Sequence, residues 1–236
     1  MATEPGLRAV DPRLAFALVY TAVILSLSEY WFIPSAAPRT GLPQLLRGVS
    51  PDLAAGLVWI ASTVLLFTAI PMVVVRGWHR EGLASIGFGT RGLRRHLLVY
   101  LGLYGLMVPV LLLVARRPDF SGLYPLVPSA RASLGVFWLW ESAYALQFVA
   151  LESFFRGYLL FTCAARMGWN AVPVMVVPYT MIHFHKPLPE CLAAVGAGCL
   201  LGVLALRYRS FWGGAILHTL VAVSMDVLAV RRAGLF

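Results

Sequence analysis

The sequence predicts an all-α, polytopic transmembrane helical bundle of about seven spans. Two observations carry that reading. The 236-residue chain is 60% hydrophobic and 12% charged, with a mean hydropathy of +0.80. A soluble domain carries roughly 25% charged residues. The apolar residues also fall in runs close to the ~20 that a helix needs to cross a hydrocarbon core. These runs cover most of the chain, which leaves no room for a large soluble domain. One membrane domain is expected, with N-terminal spans and connectors over residues 1–132 and a core that carries the chemistry over 133–236.

The first span is read over about residues 14–33, ended by Pro34, with Glu29 at the interface. The stretch before it is short and mixed in charge and has no small-residue cleavage site, so the run is expected to stay as an anchor. The second span is read over 53–75. The connector 76–96 is Gly-rich and basic and is expected to hold a short surface helix. The third span covers 97–115, and a loop with Pro118, Pro125 and Pro128 follows. No proline interrupts 133–167, read as one long helix or as a leading helix and a span. The fifth span covers 171–185, with Pro173 and Pro178 inside it, the sixth 191–206 and the seventh 211–230.

Net charge is +9, and 18 of the 19 basic residues are Arg. Basic residues flanking apolar spans are the ordinary topology signal of membrane proteins. The implied partner is therefore the lipid bilayer, not nucleic acid. Ten basic residues fall on the side of the N-terminus and the even-numbered connectors, and eight on the other, which favours a cytoplasmic N-terminus. Cys163, Cys191 and Cys199 lie in or beside spans without C-x-x-C spacing and read as small apolar core residues.

The informative residues are those that do not belong in lipid. An ionisable side chain at the bilayer centre costs at least ~2.5–3.5 kcal/mol, so each is a candidate for function. Glu141, Glu152 and Arg156 lie on the fourth span, His183 and His185 at the end of the fifth, Glu190 at the start of the sixth, and His218 and Asp226 on the seventh. The second and third spans hold almost none, so the site is expected in the C-terminal half. Glu152 and Arg156 stand four residues apart, the favourable orientation for a same-face pair. The pair could also be structural only. Glu141 reads as an interfacial residue beside Trp138 and Trp140. His183 and His185 point to opposite sides of a helix unless it has ended, and Pro187 and Pro189 follow closely. Small residues Gly213 and Gly214 precede His218 and allow close helix approach.

A carboxylate and two histidines suffice for water-mediated amide hydrolysis: one group takes a proton from water, another protonates the leaving amine, and a third stabilises the oxyanion. Ser153 is not in a G-x-S-x-G context, and H-E-x-x-H is absent. No metal or cofactor is therefore expected, although His183, His185 and His218 together could form a metal site gathered from several helices. A proton-coupled transporter also places Glu and His at membrane depth, but no inverted repeat is visible.

Leu151-Glu152-Ser153-Phe154-Phe155-Arg156-Gly157 resembles the first motif of the CAAX-protease and bacteriocin-processing family, the Rce1-like intramembrane glutamic proteases. Tyr179 to His183 resembles its second motif, an aromatic ahead of a His, and His218 to Ala222 its third. The resemblance covers roughly 133–230 and carries over Glu152, Arg156, His183 and His218 as catalytic residues. It departs from the family at Leu151, where a first Glu is usual, and at Ala222, where Asn is usual. Glu190 and Asp226 are candidates to supply the missing functions, and His185 is a further candidate site residue. The single Glu and the His-Phe-His-Lys-Pro run look similar to the myxosortase-like branch. The resemblance implies an endopeptidase of a bacterial inner membrane acting on substrates with a C-terminal membrane-associated tail. The alternative is an inactive relative that serves as a scaffold or substrate-binding chaperone.

Overall fold

The computed structural model describes residues 10–232 and 234, and no strand occurs among them. Six helical runs are long and apolar enough to cross a membrane. We label α1 Pro12–Phe32, α2 Pro51–His79 and α3 Leu93–Val114. A short α4 covers Pro118–Leu123. The fourth long run, Leu134–Met181, spans 48 residues and reverses direction. Gly168, at φ 55°, breaks it, because that backbone conformation is open mainly to glycine. The rings of Phe155 and Tyr179 then meet at 5.4 Å, although a straight helix would hold them more than ~30 Å apart. The run is thus two antiparallel rods, α5 over 134–167 and α6 over Ala171–Met181. With α7 Leu188–Tyr208 and α8 Trp212–Arg232, the described residues form seven rods besides the short α4, in line with about seven spans.

Prolines and caps explain where the rods begin. Asp11 caps α1 by accepting from the Leu14 amide at 2.9 Å, with Pro12 in the first turn. That hydrogen bond, with Arg166 beside it, holds the Asp11 carboxyl below the usual carboxylate range. Pro51 opens α2, and Asp52 reaches across to accept from the Ser129 amide at 2.7 Å. Pro71 lies inside α2 and has no N–H to give. A wide helical turn over Val64–Ala69 precedes it, and the Tyr20 hydroxyl donates to the freed Leu66 carbonyl at 2.6 Å. The connector after α2 holds a short 3₁₀ helix, Leu83–Ile86, where the sequence predicts a short surface helix.

The centre of the bundle is α5. Across Leu134–Met181, 72% of the most apolar stretch is buried, against 11% in α3. Phe154, Phe155, Tyr158, Leu159 and Leu160 are fully enclosed. The chain therefore wraps its other rods around the segment that holds Glu152 and Arg156. α6 has only 11 residues and rises about 16 Å, roughly half of a hydrocarbon core. It ends at Met181, so His183 and His185 sit in the turn beyond it rather than on a helix.

Candidate active site

The Glu152 carboxylate is fully buried and receives two hydrogen bonds on one oxygen. Arg156 Nη1 donates to Oε1 at 2.8 Å, and His218 Nδ1 lies 3.1 Å from the same atom. A wide helical turn over Ser153–Leu159 carries Arg156, a local geometry that recurs at functional sites. The guanidinium also stacks 3.7 Å above the centre of the Tyr179 ring, and this cation–π contact joins α5 to α6. Glu152 Oε2, by contrast, is buried without a hydrogen-bond partner among the described residues. A carboxylate with one oxygen held and one free can orient itself and still accept a hydrogen from a third molecule.

The histidines are oriented by their neighbours. His183 Nδ1 lies 3.0 Å from the Tyr179 carbonyl, which can only accept, so Nδ1 carries the hydrogen. In the neutral ring Nε2 is then the free acceptor. His183 is 7% exposed, and its charge would be felt at Glu152 and at His218. His218 leans on Phe148, with ring centres 4.4 Å apart. The bond from its Nδ1 to an ionised Glu152 leaves Nε2 as the working atom. Glu152, Arg156 and His218 thus meet in direct contact from α5 and α8, and His183, in the turn after α6, joins them through Tyr179, whose ring lies 4.9 Å from its own and under Arg156.

Glycine makes that approach possible. A Cβ at Gly213 would lie 2.0 Å from the Tyr100 ring, and one at Gly214 would lie 2.7 Å from Glu152 Oε2. Gly214→Ala should therefore push the carboxylate off its donors. Misplacing a reacting group by about 1 Å can cost roughly 10²-fold in rate. A loss of that size in cleavage, with little change in melting temperature, is the expected outcome.

The other candidates form a second cluster. Glu190 accepts from Lys186 Nζ at 2.6 Å and from the Tyr124 hydroxyl at 2.9 and 3.0 Å. Burial and the Glu190 carboxylate push the Tyr124 phenol well up, so it stays a donor. Asp226 is fully buried and accepts from Trp140 Nε1 at 3.1 Å. Glu141, expected at an interface, is enclosed at 3% exposure, and its carboxyl faces that of Asp226. His183 adjoins this cluster through Lys186 and Glu190. His185 goes elsewhere: it is exposed and pairs with Glu29 at 2.9 Å. Among the described residues no three His, Cys, Asp or Glu gather as a metal site, so the three histidines considered as ligands are not brought together.

The carboxyl pair makes a distinct prediction. Two facing buried carboxyls need a hydrogen between them, and an amide supplies one permanently. Glu141→Gln should leave the melting temperature near that of the wild type. Asp226→Ala instead strips the buried Trp140 N–H of its acceptor and should cost about 1–3 kcal/mol. Thermal unfolding of the two variants in detergent checks both expectations.

The sequence did not single out Tyr179 as the Arg156 platform or Gly214 as the floor beneath Glu152. Tyr179 lies four residues before His183, one helical turn, which places the two on a shared face. That spacing was the available signal.

Residues 133–224 match the family model described as Type II CAAX prenyl endopeptidase Rce1-like. The match runs from the start of α5 into α8 and contains Glu152, Arg156, His183 and His218, whereas Asp226 lies beyond it. The chain has no match among curated proteins or among solved structures. The Rce1-like match supports a CAAX-protease type of hydrolase, with a protein substrate and a membrane setting. Its six long apolar runs make the chain an integral, multi-pass membrane protein.

Proposed function

We propose that this Rce1-like membrane protein is a glutamic-type intramembrane endopeptidase. Its substrates are membrane-associated proteins cleaved near the C-terminus, for processing or sorting, in a bacterial inner membrane. The observation that carries the reading is the buried Glu152, held on Oε1 by Arg156 and His218 and free on Oε2. Arg156 keeps the carboxylate oriented. Water docks on Oε2 and attacks the scissile carbonyl while His183 Nε2 takes its proton. In its doubly protonated form, His218 can donate from Nε2 to the developing oxyanion. His183 then returns the proton to the leaving amine, which balances the hydrolysis: one water adds, and one acid and one amine form.

A second reading rests on Leu151 and Ala222. Both are buried as apolar core residues at positions where the family resemblance leads one to expect polar groups. In that reading the site binds a substrate helix without cutting it. The test is deletion of the gene, with terminal-peptide mass spectrometry of membrane and secreted proteins. A set of proteins that keeps C-terminal tails in the deletion strain, and loses them when wild type is restored, supports the peptidase. No change at any terminus favours the scaffold.

A further inference from the structure

Away from the candidate active site, a cavity of about 240 Å³ opens where the start of α1, the end of α2 and the last turn of α5 meet. Two cations and two anions line it: Arg13, Arg166, Asp11 and Glu81. They are already joined in pairs. Arg13 Nη1 donates to Glu81 Oε1 at 2.7 Å, and Arg166 Nε donates to Asp11 Oδ2. His79 is a further wall of the cavity. It is only 6% exposed, and its Nε2 has no partner. A buried polar atom left without a hydrogen bond costs about 1–3 kcal/mol. That unpaired atom belongs to a residue of the cavity wall, and the cavity itself presents two cations and two anions to a ligand.

We propose that this cavity binds a phosphate–ammonium zwitterion of the phosphoethanolamine kind, the headgroup chemistry of a phospholipid. Three features fix that chemistry. The formal charges of the four lining ions cancel, so a ligand of balanced charge leaves neither sign uncompensated. α1 begins at Pro12, α2 ends at His79 and α5 ends at Met167, so the cavity stands at the ends of membrane rods, where headgroups lie. At that position Arg80, exposed between the lining residues His79 and Glu81, draws phosphate to the rim. The volume is below the roughly 300–1,000 Å³ of drug-sized pockets, which suits a headgroup and excludes acyl chains. Arg13 and Arg166 take the phosphate. Asp11 and Glu81 accept hydrogens from the ammonium, and His79 closes the wall behind them. A choline group has no such hydrogens, and a glycerol headgroup has no cation, so both bind less well.

The experiment uses the full-length protein purified in detergent. It is mixed with equal amounts of dioleoyl phosphatidylethanolamine, phosphatidylcholine and phosphatidylglycerol and examined by native mass spectrometry. Retention of the ethanolamine lipid should exceed each of the others by roughly fivefold or more, a ratio worth ~1 kcal/mol. Ala165→Leu, which fills the cavity, and Arg13→Gln, which removes a surface cation, should each erase that preference. Arg13→Gln alters a half-exposed pair and serves alone if the filled variant does not fold. Free phosphoethanolamine is added in a second series: competition marks the headgroup as sufficient, and its absence marks the intact lipid as the ligand. Equal retention of the three lipids, a preference for phosphatidylglycerol, no retention at all, or a preference that survives in both variants overturns the proposal.

Discussion

Glu152→Gln is expected to slow peptide cleavage by roughly 10²–10⁴-fold, the range that a positioned acid–base group contributes. The amide keeps the shape of the carboxyl and an oxygen that can accept from Arg156 and His218. It loses the negative charge beside His218, and it offers the attacking water a weaker acceptor. Both losses fall on the transition state, so the rate constant should drop while substrate affinity holds. A single-turnover assay with a peptide substrate in detergent separates the two. An unchanged rate would move the chemistry away from α5.

The second large effect concerns stability. Arg156 and Glu152 are both fully buried, and removing one partner of such a pair typically costs 3–5 kcal/mol, roughly, because the other charge is left without compensation. Arg156→Leu should destabilise by that amount. It should also abolish cleavage, since Glu152 loses the donor that orients it. The double variant Glu152→Gln with Arg156→Leu should recover much of the lost stability, because no unpaired charge remains. Arg156→Lys is not a conservative exchange here, because an ammonium cannot lie flat on Tyr179 while reaching Glu152 in the same way. Thermal melts of the four proteins form a double-mutant cycle that measures the coupling.

Much of this was legible in the chain because the bilayer imposes simple rules. Apolar runs gave the rods, and prolines gave most of their ends. The i, i+4 spacing gave the Glu152–Arg156 pair, and the two glycines before His218 announced a close approach. What was not legible came from groups far apart in sequence. The flanking Trp138 and Trp140 suggested an interface for Glu141, yet Asp226 arrives from α8 and Trp140 donates to it, so the carboxyl turns inward. His185 and Glu29 meet across more than half the chain, which no spacing rule could find. The depth of His183 depended on α6 stopping after 11 residues. The break between 167 and 171 was legible, but not how short the returning rod would be. The cavity beside His79 is built from three separate segments and left no local trace.

One cell-based measurement tests whether Glu152 drives proteolysis. A strain lacking the gene is restored with wild type or with Glu152→Gln at equal membrane abundance, and C-terminal peptides are compared by mass spectrometry. The account predicts that wild type restores processing and Glu152→Gln leaves the tails uncut. Equal processing by both versions would contradict it and would make Glu152 a structural residue.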